Sequence, residues 1–339
     1  MLFLPLMKKI SGVFLVCALL GACSNELDIT ADYKETTIIY GLLNQADTVQ
    51  YVQVFKGFLD ENTNALLLAQ NPDSVFYDDS VDVQLSDGSQ TYTLERILGP
   101  NRDAGVFVDS PNYVYRLPAT IAQDKLYNLT FTNPRTSHVV TAQTPVVKDF
   151  DINFPPEGFL VNFAVTTPVN VQWRSAENGK VYQLEIRFFY AEWNVNTPSD
   201  KDTLFVDWPI FNGHTSSTAN GGESMSFKID GLSFYSFLAS RLVADADIQR
   251  EAIDSALEFR FFVGAEELYN YIRVNGAQTG ITSLSVKPEY TNVNGGLGIF
   301  SSRYNKSRIN IGLAQRSLDS LSCGSYTKDL NFVNSPNCN

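Results

Sequence analysis

The chain has 339 residues, of which 44% are hydrophobic and 18% charged, and it contains 23 Phe and 16 Tyr. This composition excludes disorder over the whole length, and the presence of only two His excludes an imidazole-rich metal site. A chain with a net charge of −12 is repelled by phosphate backbones, so we expect no nucleic-acid partner. We also expect no cofactor.

The first residues have the organisation of an export signal. Lys8 and Lys9 form a short positive region, and residues 10–20 are an apolar run that is too short to cross a bilayer. The sequence therefore predicts a signal peptide over residues 1–22.

A motif for lipid attachment follows at once. Leu20-Gly21-Ala22-Cys23 resembles the lipobox of bacterial lipoproteins, a family in which the cysteine is acylated and the peptide is cut before it. The resemblance implies an acylated Cys23 on a lipidated tether over residues 23–34, and several acyl chains give a stable anchor. The alternatives are an ordinary secretory signal with a chance cysteine, or a buried apolar helix.

Residues 35–147 contain about seven short stretches in which hydrophobic and polar side chains alternate. This period of two predicts strands, the first two over residues 37–43 and 49–55. About seven strands in one unit suit an immunoglobulin-like or transthyretin-like sandwich.

A hairpin signal lies in the middle of this unit. Asp87-Gly88 predicts a two-residue turn, because glycine accepts the positive φ that such turns need. A return strand is expected over residues 91–97.

A second β-rich unit is predicted over residues 148–314, after a boundary segment at residues 144–148. A Trp-bearing strand around Trp173, a turn and a Tyr-bearing strand over residues 182–188 resemble the fibronectin type III pattern. The predicted fold class is therefore mainly β, with two β-sandwich domains, the second of which carries helical insertions.

The second unit also contains two predicted helices and a late hairpin. Ser233 could cap a helix over residues 234–242, and a second helix is predicted over residues 265–274. Strands at residues 297–304 and 308–313 would form the hairpin around a polar turn.

Aromatic residues cluster in a stretch that is predicted to be irregular, residues 193–214. Trp193, Phe205, Trp208 and Phe211 lie in it. Aromatic side chains on an exposed loop are typical anchors for a partner or a ligand, so this stretch is a candidate binding loop. The alternative is that these side chains fill a second small core.

One short motif recurs more often than composition predicts. Asp followed by Ser or Thr and an apolar residue occurs six times, and it resembles the O-glycosylation motif of exported Bacteroidota proteins. The alternative is ordinary turn and cap chemistry, which favours the same residues. The candidate hydroxyls belong to Thr48, Ser74, Ser80, Thr203, Ser255 and Ser320.

No catalytic or metal-binding signature is present. His138 in a predicted strand and His214 in a predicted loop lack the flanking residues of a catalytic triad. Residues 60–71 begin like a calcium loop, but Ala65 stands where the loop needs glycine. The glycine-rich residues 294–298 are predicted to form a tight turn. We therefore expect a protein that is not an enzyme.

The tail, residues 315–339, contains the two remaining cysteines. In an oxidising compartment two such thiols usually pair, so we predict a disulfide between Cys323 and Cys338. The alternative is two free thiols.

Three segments resemble a family of Bacteroidota outer-membrane lipoproteins with a domain of unknown function, often encoded beside TonB-dependent receptors. The main one is residues 290–300, Tyr-Thr-Asn-Val-Asn-Gly-Gly-Leu-Gly-Ile-Phe, and the others are residues 38–54 and 268–272. The resemblance supplies no catalytic residues, and it implies a location and neighbours.

Two functions follow as expectations. The first is a lipid-anchored outer-membrane protein at the cell surface, an accessory subunit of a β-barrel partner, either a TonB-dependent receptor or assembly or secretion machinery. The second is a surface lipoprotein that captures glycan or peptide through residues 193–214 and feeds a transporter.

Overall fold

The computed structural model describes residues 35–57, 64–163, 167–276 and 289–335, which form a mainly β structure, as predicted. The strands are β1 (Thr37–Asn44), β2 (Gln50–Lys56), β3 (Asp82–Ser86), β4 (Thr91–Thr93), β5 (Glu95–Leu98), β6 (Tyr113–Leu117), β7 (Leu126–Asn133), β8 (His138–Pro145), β9 (Ile152–Phe154), β10 (Leu160–Val161), β11 (Val169–Arg174), β12 (Val181–Asn194), β13 (Asp202–Thr215), β14 (Ser224–Ile229), β15 (Ile248–Gly264), β16 (Val293–Asn294) and β17 (Leu297–Leu313). The α-helices are α1 (Ala65–Ala69), α2 (Pro72–Val75), α3 (Gly231–Arg241), α4 (Glu266–Gly276) and α5 (Gln315–Cys323), with a 3-10 helix over Lys328–Leu330. None of these helices is both long and apolar enough to cross a membrane.

The described strands form three sheets. A nine-stranded sheet has the order β13-β12-β15-β17-β1-β2-β6-β5, with β10 also paired to β17. A five-stranded sheet has the order β16-β8-β7-β3-β4, and a three-stranded sheet has the order β14-β11-β9. The two small sheets face different halves of the large one and enclose two separate cores.

The first core lies between the β1-β2-β6 part of the large sheet and the five-stranded sheet. Alternation places Ile39 and Val52 inward on one side and Leu85, Leu129 and Phe131 inward on the other, each at most 1% exposed. The predicted strand pair at the start of this unit is confirmed as β1 and β2, joined in antiparallel register.

The predicted return strand over residues 91–97 is broken in two. β4 pairs with β3, whereas β5 pairs with β6 in the opposite sheet, and buried Leu94 stands between them. The chain therefore crosses from one sheet to the other at this point. The preceding turn spans four residues, because Ser86 pairs with Thr91.

The second core lies between the β12-β13-β15-β17 part of the large sheet and the three-stranded sheet, with α3 and α5 filling the remaining space. Trp173 on β11 lies 5.3 Å from Phe261 on β15 between ring centroids. Helix α3 begins earlier than predicted, because its N-cap is Asp230, which accepts a hydrogen bond from Leu232 N, and not Ser233.

The predicted late hairpin is wrong, because residues 297–313 form the single 17-residue strand β17. The polar residues expected to turn, Asn305-Lys306-Ser307, pair instead with Phe262-Phe261-Arg260 of β15. A polar triplet on a strand that is paired on one side can face solvent without turning.

Strand β17 belongs to both halves of the molecule. Its first part, Leu297 to Arg303, pairs in parallel with β1, and its later part, to Ile311, pairs antiparallel with β15. Phe300 is fully buried in the first core and Ile311 in the second. The large sheet thus runs without interruption across the boundary that was predicted near residue 148.

Candidate functional site

A cleft of about 840 Å³ lies on the outer face of the large sheet. Strands β1, β2, β5 and β6 form its floor, and helix α4 stands at one side. The helix is seated there because Leu268 packs against Gly264, where a Cβ would lie 2.8 Å from the Leu268 side chain. This cleft is our candidate functional site.

Tyrosines form much of the apolar surface of the cleft. Tyr51 is 51% exposed on β2, and Tyr40 on β1 meets Tyr271 of α4 edge to face, with ring centroids 6.4 Å apart. Burial raises the pKa of Tyr40 to about 12, and its hydrogen bond with the Tyr271 hydroxyl acts in the same direction. The Tyr40 ring is therefore neutral and held in place.

Two amide side chains, those of Gln50 and Asn112, also line the cleft. Gln50 is fixed, because its Nε2 donates to Asn44 O at 3.0 Å and to Asp47 O at 3.1 Å. Asn112 is only 5% exposed, and its Nδ2 donates to Pro100 O at 2.8 Å. Its Oδ1 has no hydrogen-bond partner among the described residues. Because this oxygen is itself buried, a group bound in the cleft would reach it only after a local rearrangement.

The cleft carries few charged side chains. Of its lining side chains, only Asp47 and Arg303 are charged. No group of three His, Cys, Asp or Glu side chains in the described ranges is placed to hold a metal ion. Its exposed tyrosine rings offer flat apolar contacts, and their hydroxyls offer hydrogen bonds.

Sequence reasoning did not find this cleft. Its residues come from segments that are far apart in sequence, near residues 40–53, 97–114 and 268–303. One signal was available, because Tyr40 and Tyr51 occupy positions that alternate with buried residues on their strands. Large aromatic side chains on the solvent face of a strand are a sign of a binding surface.

The prediction that residues 193–214 form an irregular loop is wrong. These residues belong to the long hairpin of β12 and β13, and most of its aromatic side chains are in the core. Trp208 is 6% exposed and stacks on Phe237 of α3, while Phe211 stacks on Trp173 at 5.7 Å.

The other two aromatic candidates lie at the outer part of this hairpin. Trp193 is buried, with the Lys201 Nζ 4.0 Å from its ring centroid. Phe205 is 50% exposed, and the Arg187 guanidinium lies 3.8 Å from its ring centroid. Only Phe205 of the four therefore presents an open aromatic face, and a cation already covers part of it.

Neither histidine lines the cleft. His214 is on strand β13 and not in a loop, and its ring packs beside Trp173 and Phe211. His138 is at the start of β8, where its ring centroid lies 6.4 Å from that of Phe131. Both rings therefore serve packing among aromatic neighbours.

The asparagines near the calcium-like segment have helix-capping roles. Residues 60–63 lie outside the described residues, but Asn64 Oδ1 accepts from Leu66 N at 2.9 Å at the start of α1. Asn71 Oδ1 accepts from Asp73 N at 3.0 Å at the start of α2. These side-chain oxygens satisfy helix N–H groups.

The six candidate hydroxyls differ in access. Thr48, Thr203 and Ser255 are exposed, whereas Ser74, Ser80 and Ser320 are half-buried. Ser80 Oγ donates to Asp78 Oδ1, and Ser320 Oγ donates to Arg316 O at 2.9 Å. The exposed three are the hydroxyls that a modifying enzyme could reach without local opening.

The cysteines are only partly described. Cys323, at the end of α5, is disulfide-bonded. Its predicted partner Cys338 and the predicted lipid site Cys23 lie outside the described residues. The pairing between Cys323 and Cys338 stays a prediction.

The motif that carries the family resemblance has a structural role. The Asn292 side chain accepts from Phe300 N at 2.9 Å and donates to Phe300 O at 2.6 Å. Gly298 has φ +101°, and a Cβ there would lie 2.0 Å from Ile39 O. The motif therefore seats the start of β17 against β1.

Comparisons with known proteins name no family for this chain. No family model matches it, and no curated protein matches it.

Proposed function

We propose that this chain is a lipid-anchored outer-membrane protein at the cell surface that acts without catalysis as an accessory subunit of a β-barrel complex. The barrel would be a TonB-dependent receptor or part of an assembly or secretion machine. The N-terminal lipobox-like motif supports the anchor, and the family resemblance supports the neighbours.

The observation that carries the proposal is the preformed cleft on the outer face of the large sheet. Its exposed surface combines Tyr40, Tyr51 and Leu98 with a single cation, Arg303. Tyrosine and arginine are enriched at the centres of protein interfaces, where charged side chains are otherwise depleted. A rigid, weakly charged cleft of this kind suits a loop of a partner protein.

A second function, capture of glycan or peptide, is favoured by one specific observation. Tyr51 lines the cleft and is 51% exposed on the outer face of β2. The exposed ring of Tyr51 offers a flat face for a sugar ring or an apolar side chain. This function would place the ligand in the cleft and not on residues 193–214.

Affinity purification of the tagged chain from mildly solubilised native membranes tests the proposal. We expect a stoichiometric β-barrel partner, and we expect Cys23→Ala to release the chain from the membrane. Tyr51→Ala should lower recovery of the partner at least about tenfold, as expected for an interface hot spot. Tyr326→Ala is the matched control, because Tyr326 is 50% exposed but lies outside the cleft.

The outcomes separate the two functions. Recovery of the chain alone would contradict the accessory-subunit proposal and favour ligand capture. Unchanged membrane retention of Cys23→Ala would contradict the lipid anchor. Equal recovery of the partner with Tyr51→Ala and Tyr326→Ala would mean that the partner binds elsewhere on the molecule, which would overturn the role of the cleft.

A further inference from the structure

The described chain begins at one end of the first sandwich. Glu35 accepts a hydrogen bond from Asn133 Nδ2 at 2.7 Å and another from Thr136 Oγ1, at the tip of the β7-β8 hairpin. One residue on, Thr36 O accepts from Gly57 N at 2.7 Å. The predicted tether over residues 23–34 therefore joins the folded protein at this end.

The sheet register places two further segments at the same end. Thr37 of β1 pairs with Lys56, the last residue of β2, so helix α1 begins within ten residues of this point in sequence. On the other side of β2, Leu98 at the end of β5 pairs with Tyr113 at the start of β6. The segment between β5 and β6 therefore emerges beside the tether.

These two segments present four large apolar side chains to solvent. Leu66 and Leu67 on α1 are 59% and 67% exposed, and Val106 and Phe107 between β5 and β6 are 56% and 45% exposed. We call these four residues the anchor-end patch. Isolated exposed apolar residues are ordinary, but a contiguous group on a fixed surface indicates an interaction site.

The anchor-end patch is held together by specific contacts. Gln70, directly after α1, donates from Nε2 to Gly105 O at 3.1 Å and also to Val106 O. Val108 N donates to Ala69 O at 2.9 Å. These bonds tie α1 to the segment between β5 and β6, so the four side chains keep a common surface.

A cation supports the aromatic member of the patch. The Arg102 guanidinium carbon lies 5.6 Å from the ring centroid of Phe107 and 5.2 Å from that of Phe55. Phe107 also lines a cavity of about 370 Å³ together with Ile38 and Gly57. The patch therefore borders the same cavity as Ile38 and Gly57, which lie where the predicted tether joins the fold.

We propose that the anchor-end patch lies against the lipid surface in which the chain is anchored, an inference that rests on the proposed anchor at Cys23. The 11 residues 24–34 span at most about 40 Å when fully extended, so this end of the protein must stay near the bilayer. A tether alone leaves the orientation free. The apolar patch fixes it by entering the boundary between headgroups and acyl chains.

Lipid is the occupant that the position of the patch favours. A partner protein could meet any face of the molecule, whereas a bilayer is always present at the end that carries the anchor. Aromatic and apolar side chains beside a cation are typical of residues at the membrane interface. Exposed Asp73 and Asp103 would be repelled by an anionic surface, so we expect zwitterionic lipid to be sufficient for the contact.

Spin labelling of the full acylated chain tests this inference. Val106→Cys and the matched control Val243→Cys, which is 77% exposed in wild type and lies on the second unit, each receive a nitroxide. The protein is reconstituted into phosphatidylcholine vesicles that hold no other protein. Accessibility of the label to lipid-soluble oxygen and to a water-soluble nickel chelate is measured, and the acyl mass on Cys23 is measured on the same sample.

We expect the label at position 106 to lie about 5–10 Å inside the lipid boundary and the label at position 243 to remain in water. Replacing Leu66, Leu67 and Phe107 together by Ser should return the label at position 106 to water while the acylated chain stays on the vesicle. None of the three replaced side chains belongs to a buried core cluster, so we expect the fold to be retained.

Each other outcome decides between the two proposals. An acylated chain with both labels in water overturns the membrane contact and leaves the anchor. A chain without acyl mass whose label at position 106 still enters lipid overturns the anchor and supports the patch. A label shielded from both reagents indicates contact between two copies and overturns the patch proposal.

Discussion

At the residue scale, Gly298 on β17 packs directly against the backbone of Ile39 on β1. A Cβ at this position would lie 2.0 Å from Ile39 O and 2.9 Å from Ile39 C, and φ is +101°. The neighbour is backbone within a buried strand pair and cannot move aside as a flexible side chain could. Only glycine fits both the conformation and the space.

Gly298→Ala should therefore lower the free energy of unfolding by about 3 kcal/mol or more, combining backbone strain with steric overlap. Chemical denaturation followed by circular dichroism measures this change. Gly213→Ala is the control, because Gly213 has φ +94° but nothing lies within 4 Å of its Cβ position. Gly213→Ala should lower the free energy of unfolding by only about 1 kcal/mol. Equal costs for both variants would contradict the steric explanation.

At the element scale, the outer face of the β12-β13-β15 strands is held by an ion network. Arg187 on β12 binds Asp207 on β13 with two bonds of 2.7 and 2.8 Å. Arg260 on β15 binds Glu185 at 2.8 Å and lies 3.5 Å from Asp207. Strand β13 is an edge of the sheet, and charged side chains on an edge strand oppose pairing with another chain.

The pKa of Asp207 predicts how this network responds to acid. The hydrogen bonds from Arg187, and then its charge, hold the pKa of the Asp207 carboxyl below its usual value. Because the folded pKa is depressed, the stabilisation is fully present above the unfolded value of about 3.9 and is lost as pH falls through the lower folded value.

Asp207→Asn should cost about 1 kcal/mol of stability at pH 7, because the pair is partly screened by solvent. The difference from wild type should shrink as pH falls below about 4, which thermal unfolding over a pH series would show. Asp202→Asn on the same strand makes no ion pair among the described residues and should leave stability unchanged. A loss that is independent of pH would contradict the ion-pair origin.

The hairpin of β12 and β13 also shows why local reading of the sequence failed there. Pro209 and Gly213 lie on β13, although proline and glycine are typical of turns and loops. The register in fact shifts twice in this region, between Tyr182 and Gln183 and between Leu184 and Glu185, and the pairing continues on either side. Bulges let an edge strand accept a proline and a glycine, which a local pattern cannot distinguish from a loop.

At the scale of the whole molecule, β17 makes the two cores depend on one another. Fully buried Ser302 reinforces the junction, because its Oγ accepts from Val147 N at 3.0 Å and donates to Pro145 O at 2.6 Å. These bonds connect β17 to the segment where the chain passes from the first unit to the second. We therefore expect the two halves to unfold together.

Differential scanning calorimetry should show one transition, with Ser302→Ala lowering the free energy of unfolding by about 1–3 kcal/mol, because Val147 N loses its partner. Ser301→Ala is the matched control. Ser301 is equally buried, but its Oγ has no hydrogen-bond partner among the described residues, so its loss should cost little. Two separate transitions in the wild-type protein would contradict the coupling.

The sequence by itself determined the mainly β class, the first strand pair and the positions of two helices to within a few residues. It did so because alternation with a period of two and helix-capping residues are local properties of the chain. The N-terminal export and lipid-attachment prediction is likewise local and needs no fold.

Only the tertiary structure decided which strands share a sheet and where a ligand could bind. Alternation predicts which face of a strand is buried but not which strand lies beside it. The sequence therefore did not predict that β1 pairs with β17. The cleft was hidden for the same reason, since Tyr40, Asn112 and Tyr271 meet only after the large sheet has formed. Residues 193–214 are rich in aromatic side chains, which predicted a binding loop. Trp208 and Phe211 instead pack against α3 and β11.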